Sequence, residues 1–240
     1  MNPPLLRRLL AEYLGSALLA ALVIGSGIAA QQLSDDPGLQ LLENAAATAA
    51  GLFALILIFG PVSGAHFNPV VSLVDAAFGG LPWRTALAYI PAQIAGCITG
   101  AIVANVMFEL AAISISTNHR ASPAHLFAEV IATSGLTLVI FSLARTGRLA
   151  TAPAAVGAYI GAAYWFTSST SFANPAISVG RIFSDTFAGI APASVPSFAL
   201  AQLAGGAAAY ALIRTLYPDL RAEDAADVVV PIADPEPAMR

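Results

Sequence analysis

Two short stretches, HFNPVVS at residues 66–72 and FANPAIS at residues 172–178, decide the fold of this chain. Each places an Asn-Pro pair at the start of a short apolar run, residues 68–78 in the first case and 174–187 in the second. Proline is favoured at the first helical position because its missing N–H would have no partner there. Both runs are too short to cross a bilayer, which takes roughly 17–25 apolar residues. The two stretches therefore predict half-helices.

Around these stretches the chain repeats itself. AEYLG at residues 11–15 matches AEVIA at 128–132, and PAQIAG at 91–96 matches LAQLAG at 200–205, in the same order as the Asn-Pro motifs. Three spans in each copy require the second copy to be inverted in the membrane. The predicted fold is an all-α membrane protein with six transmembrane helices and two re-entrant half-helices in an inverted three-helix repeat. The six predicted spans are residues 9–30, 44–61, 85–108, 124–143, 151–167 and 195–216.

The composition agrees with a membrane protein. Of the 240 residues, 58% are hydrophobic and 10% are charged, against about 25% charged in an average soluble domain. We expect one channel domain over residues 1–216, with repeats at about 7–108 and 124–216, and a disordered, acidic cytoplasmic tail over residues 217–240. The first apolar run exceeds the 7–15 residues of a signal-peptide core and is read as a retained helix.

Arginine placement sets the predicted orientation, because cytoplasmic loops of membrane proteins carry the excess of basic residues. With the N-terminus inside, eight arginines are cytoplasmic and two, Arg120 and Arg181, are outside. We expect an inner (plasma) membrane protein with both termini in the cytoplasm. The formal charge of −4 lies in the tail, so the body gives no sign of nucleic-acid binding. A single cysteine, Cys97, excludes an internal disulfide. No catalytic or metal-ligand constellation is present in the sequence, so neither an enzyme nor a cofactor is expected.

Two half-helices entering from opposite faces would meet by their N-termini near the membrane midplane. Non-helical backbone at that depth is tolerated only where it is buried in protein or lines a cavity. Asn68 and Asn174 would cap the half-helices and offer side-chain N–H donors to a lumen, while the preceding loops present carbonyls. Such a path suits small neutral hydroxylated solutes and opposes cations and protons. A lone Asn-Pro is more often a simple cap, but two copies at matched positions favour the path.

The stretches SGAHFNPVVS and SFANPAIS resemble the twin motifs of the aquaporin (major intrinsic protein) family, over roughly residues 7–216. The resemblance implies one pore per subunit, a homotetramer in the lipid bilayer, and His66 lining the cytoplasmic half of the pore. Val70 departs from the usual alanine. The resemblance also implies that Glu12 and Glu129 accept hydrogen bonds from backbone N–H groups of the re-entrant loops. The rival interpretation is a proton relay through these two acids in a coupled secondary transporter.

The family's outer constriction falls, by its spacing from the motifs, at Thr48, Ala162, Ser171 and Ile177. Relatives usually carry an aromatic residue at the first position and arginine at the last. Small and aliphatic residues here predict a wide, uncharged constriction. Arg181 stands one helical turn beyond Ile177. It is a displaced gate, a solute-attracting group in the outer vestibule, or the partner of Asp185 four residues on.

The continuation ISVGRIFSD at residues 177–185 resembles the bacterial aquaporins of arsenic-resistance operons. That resemblance implies passage of arsenite as its undissociated acid, beside glycerol-like polyols and water. Three alternatives stay open: a water-selective aquaporin with Arg181 as a displaced filter residue, the proton-coupled transporter, and a junction protein with a vestigial pore.

Overall fold

A computed structural model describes residues 3–218, and no strand occurs in that range. Eight α-helices account for most of it, and 3-10 turns form at Leu149–Thr151, Arg181–Phe183 and Pro192–Ser194. The helices are α1 Leu5–Leu33, α2 Pro37–Ser63, α3 Pro69–Phe78, α4 Trp83–Met107, α5 Pro123–Arg145, α6 Ala152–Phe166, α7 Pro175–Gly180 and α8 Val195–Leu216.

Five of the described helices are long and apolar enough to cross a membrane, namely α1, α2, α4, α5 and α8. The predicted sixth span is α6, which has 15 residues and packs against α2 and α5. The outward faces of the helices are apolar: Leu6, Leu10, Leu14 and Leu18 lie at four-residue spacing along α1 and are all exposed. A helix that shows leucine outward at this spacing presents that face to lipid.

The two repeats have the same internal contacts. In the first repeat α1 packs on α2 and α4, and in the second α5 packs on α6 and α8. Helix pairs approach closely at glycines: a methyl group at Gly100 would lie 2.0 Å from the Ala17 carbonyl oxygen, and one at Gly205 would lie 2.6 Å from that of Val130. The repeats are joined by α2 against α6, and each half-helix contacts both α4 and α8.

The half-helices differ in length. The first, α3, fills the predicted run 68–78, but the second, α7, ends at Gly180 and passes into a 3-10 turn, so the prediction of a helical segment to residue 187 was wrong. The cause is the neighbouring loop. Backbone carbonyls of Ile182 and Phe183 accept hydrogen bonds from Ser116 and Ser114 of the α4–α5 connection instead of continuing a helical ladder. Except for Tyr217 and Pro218, the predicted tail lies outside the described residues.

Candidate functional site

The half-helices meet through Asn68 and Asn174. Asn68 Nδ2 donates to the Ala173 carbonyl oxygen at 2.7 Å, and Asn174 Nδ2 donates to the Phe67 carbonyl oxygen at 2.7 Å. Each Oδ1 accepts from the backbone N–H two residues along its own half-helix, at 2.9 Å. The amides thus cap their own helices and bind the opposite loop. Because a carboxamide has two N–H groups, one donor on each amide is left over for a solute.

The first re-entrant loop is held by Glu12 of α1, which is fully buried. Its carboxylate accepts from Ser63 Oγ at 2.6 Å, His66 N at 2.9 Å, Phe67 N at 2.7 Å and Gln93 Nε2 at 2.8 Å. A buried carboxylate is tolerable when its lone pairs are satisfied in this way. Four donors occupy the two oxygens, which makes Glu12 the anchor of this loop.

The second loop is held in the same way by Glu129 of α5. It accepts from Ser169 Oγ at 2.6 Å, Phe172 N at 2.9 Å, Ala173 N at 2.8 Å and Gln202 Nε2 at 2.6 Å. Both acids are 0% exposed, and neither is among the residues that line the central cavity. Their geometry is that of fixed acceptors for backbone and amide donors.

These anchors hold backbone that few residues adopt. Ala65 and Phe67 have φ values of 50°, and Ser171 and Ala173 have φ values of 51° and 49°. Non-glycine residues are uncommon in this left-handed region, and each costs of the order of 1–3 kcal/mol. The same alternation in both loops presents consecutive N–H groups to the buried carboxylate, so the hydrogen bonds to Glu12 and Glu129 offset the strain.

A cavity of about 70 Å³ lies beside the meeting point of the half-helices and is enclosed by residues of α1, α2, α5 and α6. One water molecule needs roughly 10–15 Å³ of such space, so the cavity has room for several water-sized molecules. Seven of the eight predicted solute-contacting residues line it: Thr48, His66, Asn68, Ser171, Asn174, Ile177 and Arg181.

The eighth, Ala162, does not. It is exposed on the outer face of α6, so its prediction as a constriction residue was wrong. The cavity is lined instead by Val156, Ile160 and Tyr164 at four-residue spacing along α6. Tyr164 Oη lies 3.2 Å from Thr48 Oγ1 on α2. The prediction counted twelve residues back from Asn174 and so crossed the irregular loop after α6. The length of that loop moves the lining position from Ala162 to Tyr164, two residues later, without any change in the motif.

Arg181 also corrects an expectation. It is 3% exposed and lines the cavity, so the lining is not uncharged. Its guanidinium carbon lies 3.4 Å from the centre of the Phe172 ring, and its Nε donates to the Ala188 carbonyl oxygen. The alternative partner, Asp185, accepts instead from Thr117 N and Oγ1 at 2.9 and 3.1 Å. Arg181 therefore contacts the aromatic wall of the cavity and not the acid four residues on.

Outside this cavity, Arg120 of the α4–α5 connection binds the segment that follows the second half-helix. Its Nε donates to the Gly189 carbonyl oxygen at 2.7 Å and a terminal nitrogen donates to that of Phe187 at 2.8 Å. Burial lowers the pKa of Arg120, and the carboxylate of Glu129 acts in the opposite direction.

A recess of about 470 Å³ opens beside Arg120, with His119 and His125 on its wall. Within residues 3–218, no group of three or more His, Cys, Asp or Glu could hold a metal.

The fold and this cavity define a helical membrane channel in which two half-helices abut inside an inverted repeat. A profile of the Major intrinsic protein family matches residues 1–183. The chain belongs to that family, which confirms the resemblance of the two Asn-Pro motifs and the predicted fold class. Members of the family are channels and not enzymes.

Individual similar proteins are consistent with this family assignment. The chain is 49% identical over 212 residues to the aquaglyceroporin AqpS of Rhizobium meliloti (strain 1021), covering 88% of this chain and 91% of that one. It is 29% identical over 156 residues to the glycerol uptake facilitator protein of Streptococcus pneumoniae, covering 58% and 65%. Among solved structures, the aquaglyceroporin from Plasmodium falciparum shares the fold with a TM-score of 0.68 at 19% identity, covering 90% of this chain and 97% of that one.

Proposed function

We propose that this protein is an aquaglyceroporin-type channel that lets glycerol-like polyols and water cross the membrane down their gradients. The observation that carries the proposal is the pair of Asn68 and Asn174 amides, which cap the half-helices and keep one N–H donor each beside the cavity. A solute with several hydroxyl groups can accept these bonds while its carbon skeleton passes the apolar wall. The names of the relatives, an aquaglyceroporin and a glycerol uptake facilitator, support the same substrate class.

We infer that the outer constriction has a polar side and an apolar side. Tyr164, Ser171 and Arg181 supply hydroxyl and guanidinium groups, and Ile160 and Ile177 supply aliphatic surface. A solute must replace the water that it sheds with hydrogen bonds from the wall. Undissociated arsenous acid carries three hydroxyl groups and is about as large as glycerol, so the same lining suits it. This finer assignment rests on the resemblance to channels of arsenic-resistance operons.

Charge exclusion comes from the same residues. The buried guanidinium of Arg181 and the amide donors at the meeting point present positive charge to the lumen, which opposes cations. A proton-coupled transporter would need an acid that exchanges its proton with the lumen. Glu12 and Glu129 are 0% exposed, and four donors occupy each of them. The contacts therefore favour the channel over the transporter.

The test is stopped-flow light scattering on proteoliposomes with water, glycerol and arsenous acid as solutes. Wild type should pass all three, without saturation and without a proton gradient. Ile177→Arg adds a second guanidinium to the lining and should lower glycerol and arsenous acid flux at least about tenfold relative to water, since each 1.4 kcal/mol of barrier is a factor of ten. Cys97→Ala, buried away from the cavity lining, is the matched control.

Each result that contradicts the proposal would support one of the alternative functions. A wild type that passes water alone would show that Arg181 does the work of the filter arginine in a water-selective channel. A flux that requires a proton gradient would favour the coupled transporter. Passage of glycerol without arsenous acid would leave the polyol channel standing and remove arsenite from its substrates.

The membrane orientation and assembly belong to this proposal. The arginine distribution of eight to two supports a plasma-membrane protein with both termini in the cytoplasm, and the family resemblance supports a homotetramer. Reporter fusions at the C-terminus test the first statement: an enzyme active only outside the cytoplasm should stay inactive. Mass measurement of the detergent-solubilised protein tests the second.

A further inference from the structure

Opposite charges stand at equivalent distances from the two asparagines, one within α3 and one directly after α7. Seven residues after Asn68 stands Asp75, and seven residues after Asn174 stands Arg181. Residues at i, i+4 and i+7 share one face of a helix, so each polar face runs from its asparagine through a serine to a charge. Both charged residues are 3% exposed. The path thus has a buried acid beside its cytoplasmic half and a buried base beside its outer half.

Asp75 contacts the one histidine of the cavity lining. His66 Nε2 lies 3.4 Å from Asp75 Oδ2, and His66 Nδ1 lies 3.0 Å from Ser72 Oγ. Each ring nitrogen therefore has a polar neighbour on α3, and His66 also lines the cavity. The equivalent residue in the second repeat is Phe172, which stacks on Arg181. In each repeat, the residue two before the asparagine is bound to the charge seven after it.

Hydrogen-bond counting at Ser72 assigns the proton on Nδ1. The Ser72 hydroxyl donates to the Asn68 carbonyl oxygen at 3.1 Å, which can only accept. Gln93 Nε2 donates to Ser72 Oγ at 3.0 Å. A hydroxyl has one proton, so His66 Nδ1 must donate to Ser72 Oγ. The other ring nitrogen, Nε2, faces the Asp75 carboxyl group.

We propose that Asp75 is a positioning residue for His66: it holds the imidazole against α3, so that the cytoplasmic half of the path stays open whatever the pH. Other charged or titratable groups near the ring come from α1 and α4. Glu12 accepts from the His66 backbone, Tyr89 lies 5.6 Å from the ring centre to centre, and Arg8 donates to Tyr89 Oη at 2.8 Å. Of these groups, Asp75 is the one that contacts a ring nitrogen.

Removing Asp75 should convert His66 into a pH-sensitive obstruction. Without the carboxyl group the ring is no longer held at Nε2 and can turn into the lumen, where a hydrated imidazole titrates near pH 6.5. The protonated ring would bring a hydration shell into the path and add positive charge of the same sign as Arg181. Flux should then fall as the pH falls through about 6.5.

The experiment measures water and glycerol flux in proteoliposomes between pH 5.5 and 8. Wild type should give a flat profile. Asp75→Ala should lose at least about threefold of its flux at pH 5.5 relative to pH 8, since about nine tenths of a water-exposed imidazole is protonated at pH 5.5. Asp75→Ala combined with His66→Gln should be flat again. Asp185→Asn removes an exposed acid outside the cavity and serves as the control, with a flat profile expected.

A flat profile for Asp75→Ala with normal flux at pH 8 would overturn the inference, and so would a pH dependence that survives His66→Gln. If Asp75→Ala fails to fold, Asp75→Asn replaces it, because asparagine keeps the shape of the side chain without its charge. This variant should show a smaller pH dependence of the same sign. A flat profile for Asp75→Asn would also overturn the inference. The inference rests on the proposed channel function. Measuring both water and glycerol distinguishes a failure of the proposed function from a failure of the inference about Asp75. A wild type that conducts water alone contradicts the proposed polyol function and leaves the water profile to judge Asp75. A wild type that conducts neither contradicts both.

Discussion

The two repeats agree where they hold the loops and differ where they meet the solute. Glu12 with Gln93 and Glu129 with Gln202 bind their loops through matching hydrogen bonds of 2.6–2.9 Å. The lining has diverged, with His66 beside an acid in one repeat and a phenylalanine beside an arginine in the other. A duplicated scaffold thus supports two unlike half-paths, because the anchors lie behind the loops and outside the cavity lining.

The packing behind the half-helices shows a second difference. Val70 of α3 lies against Gly206 of α8, where a methyl group would be 2.4 Å from Val70 Cγ1. The repeat equivalent of Gly206 is Cys97, and it lies against Gly180 of α7, where a methyl group would be 2.7 Å from Cys97 Cβ. The larger side chain, Val70, lies on the half-helix in the first repeat contact, whereas in the second contact the larger side chain, Cys97, lies on the long helix. Val70 is therefore matched by a glycine opposite.

The largest effect is expected from removing either anchor. Glu12→Ala and Glu129→Ala each leave four buried donors without an acceptor, and each unsatisfied donor costs about 1–3 kcal/mol. Both variants should lose several kcal/mol of stability and their solute flux. Thermal unfolding of the purified protein in detergent measures this, with Asp35→Ala at an exposed loop position as control. A severe effect of one substitution and none of the other would show that the anchors are not equivalent.

A smaller effect should follow from Gly206→Ala. The added methyl group collides with Val70, and overpacking of this kind costs typically about 1–3 kcal/mol. Combining it with Val70→Ala should restore most of the stability, because the smaller side chain makes room. The same thermal unfolding assay decides the point. If the double variant is no more stable than Gly206→Ala alone, Val70 and Gly206 do not compensate each other.

The lining itself should show a selective effect at Tyr164. Tyr164→Phe removes the hydroxyl beside Thr48 and should change the ratio of glycerol to water flux by up to about fivefold, the value of one hydrogen bond of about 1 kcal/mol. Folding should be unaffected. The matched control on the same helix is Tyr159→Phe, whose hydroxyl donates to the Ala132 carbonyl oxygen and does not line the cavity. Equal changes in the two variants would argue against Tyr164 as a constriction residue.

The smallest effect concerns mercury. External mercuric chloride should leave water flux unchanged, because Ser171 and not a cysteine lines the cavity and Cys97 is 0% exposed. Wild type and Cys97→Ser should respond alike in stopped-flow assays. Strong, reversible block of wild type that Cys97→Ser abolishes would mean that this thiol is reached from the lumen.

The sequence was sufficient where a residue's role depends on its neighbours in the chain. Asn68 and Asn174 were predictable because capping and the following proline are local, and the order of the repeats predicted the overall fold. It was insufficient where a position is reached across an irregular loop. Ala162 was counted from Asn174 through left-handed backbone at Thr170, Ser171 and Ala173, whose rise per residue no pattern fixes. The four-residue spacing of the α6 cavity residues was the signal that could have identified Tyr164.

Two other features depend on contacts between segments that are distant in the sequence. The contact of Arg181 with Phe172 competes with a plausible ion pair to Asp185, and only the position of the α4–α5 loop, which binds Asp185, decides between them. The sequence gives no direct sign of a role for Asp75, although aligning the half-helices by their asparagines places it at the position equivalent to Arg181. Its contact with His66 follows from the curvature of the loop before α3 and is not visible in the order of residues.

The crossed bonds of Asn68 and Asn174 have a consequence for how the protein is made. Each amide binds a carbonyl of the other loop, and the partners are separated by 105 and 107 residues along the chain. At roughly 5–20 residues per second, the second loop leaves the ribosome about 5–20 s after the first. Until then the first loop lacks its closing partner at membrane depth. The pore is therefore assembled last, after both halves have been inserted.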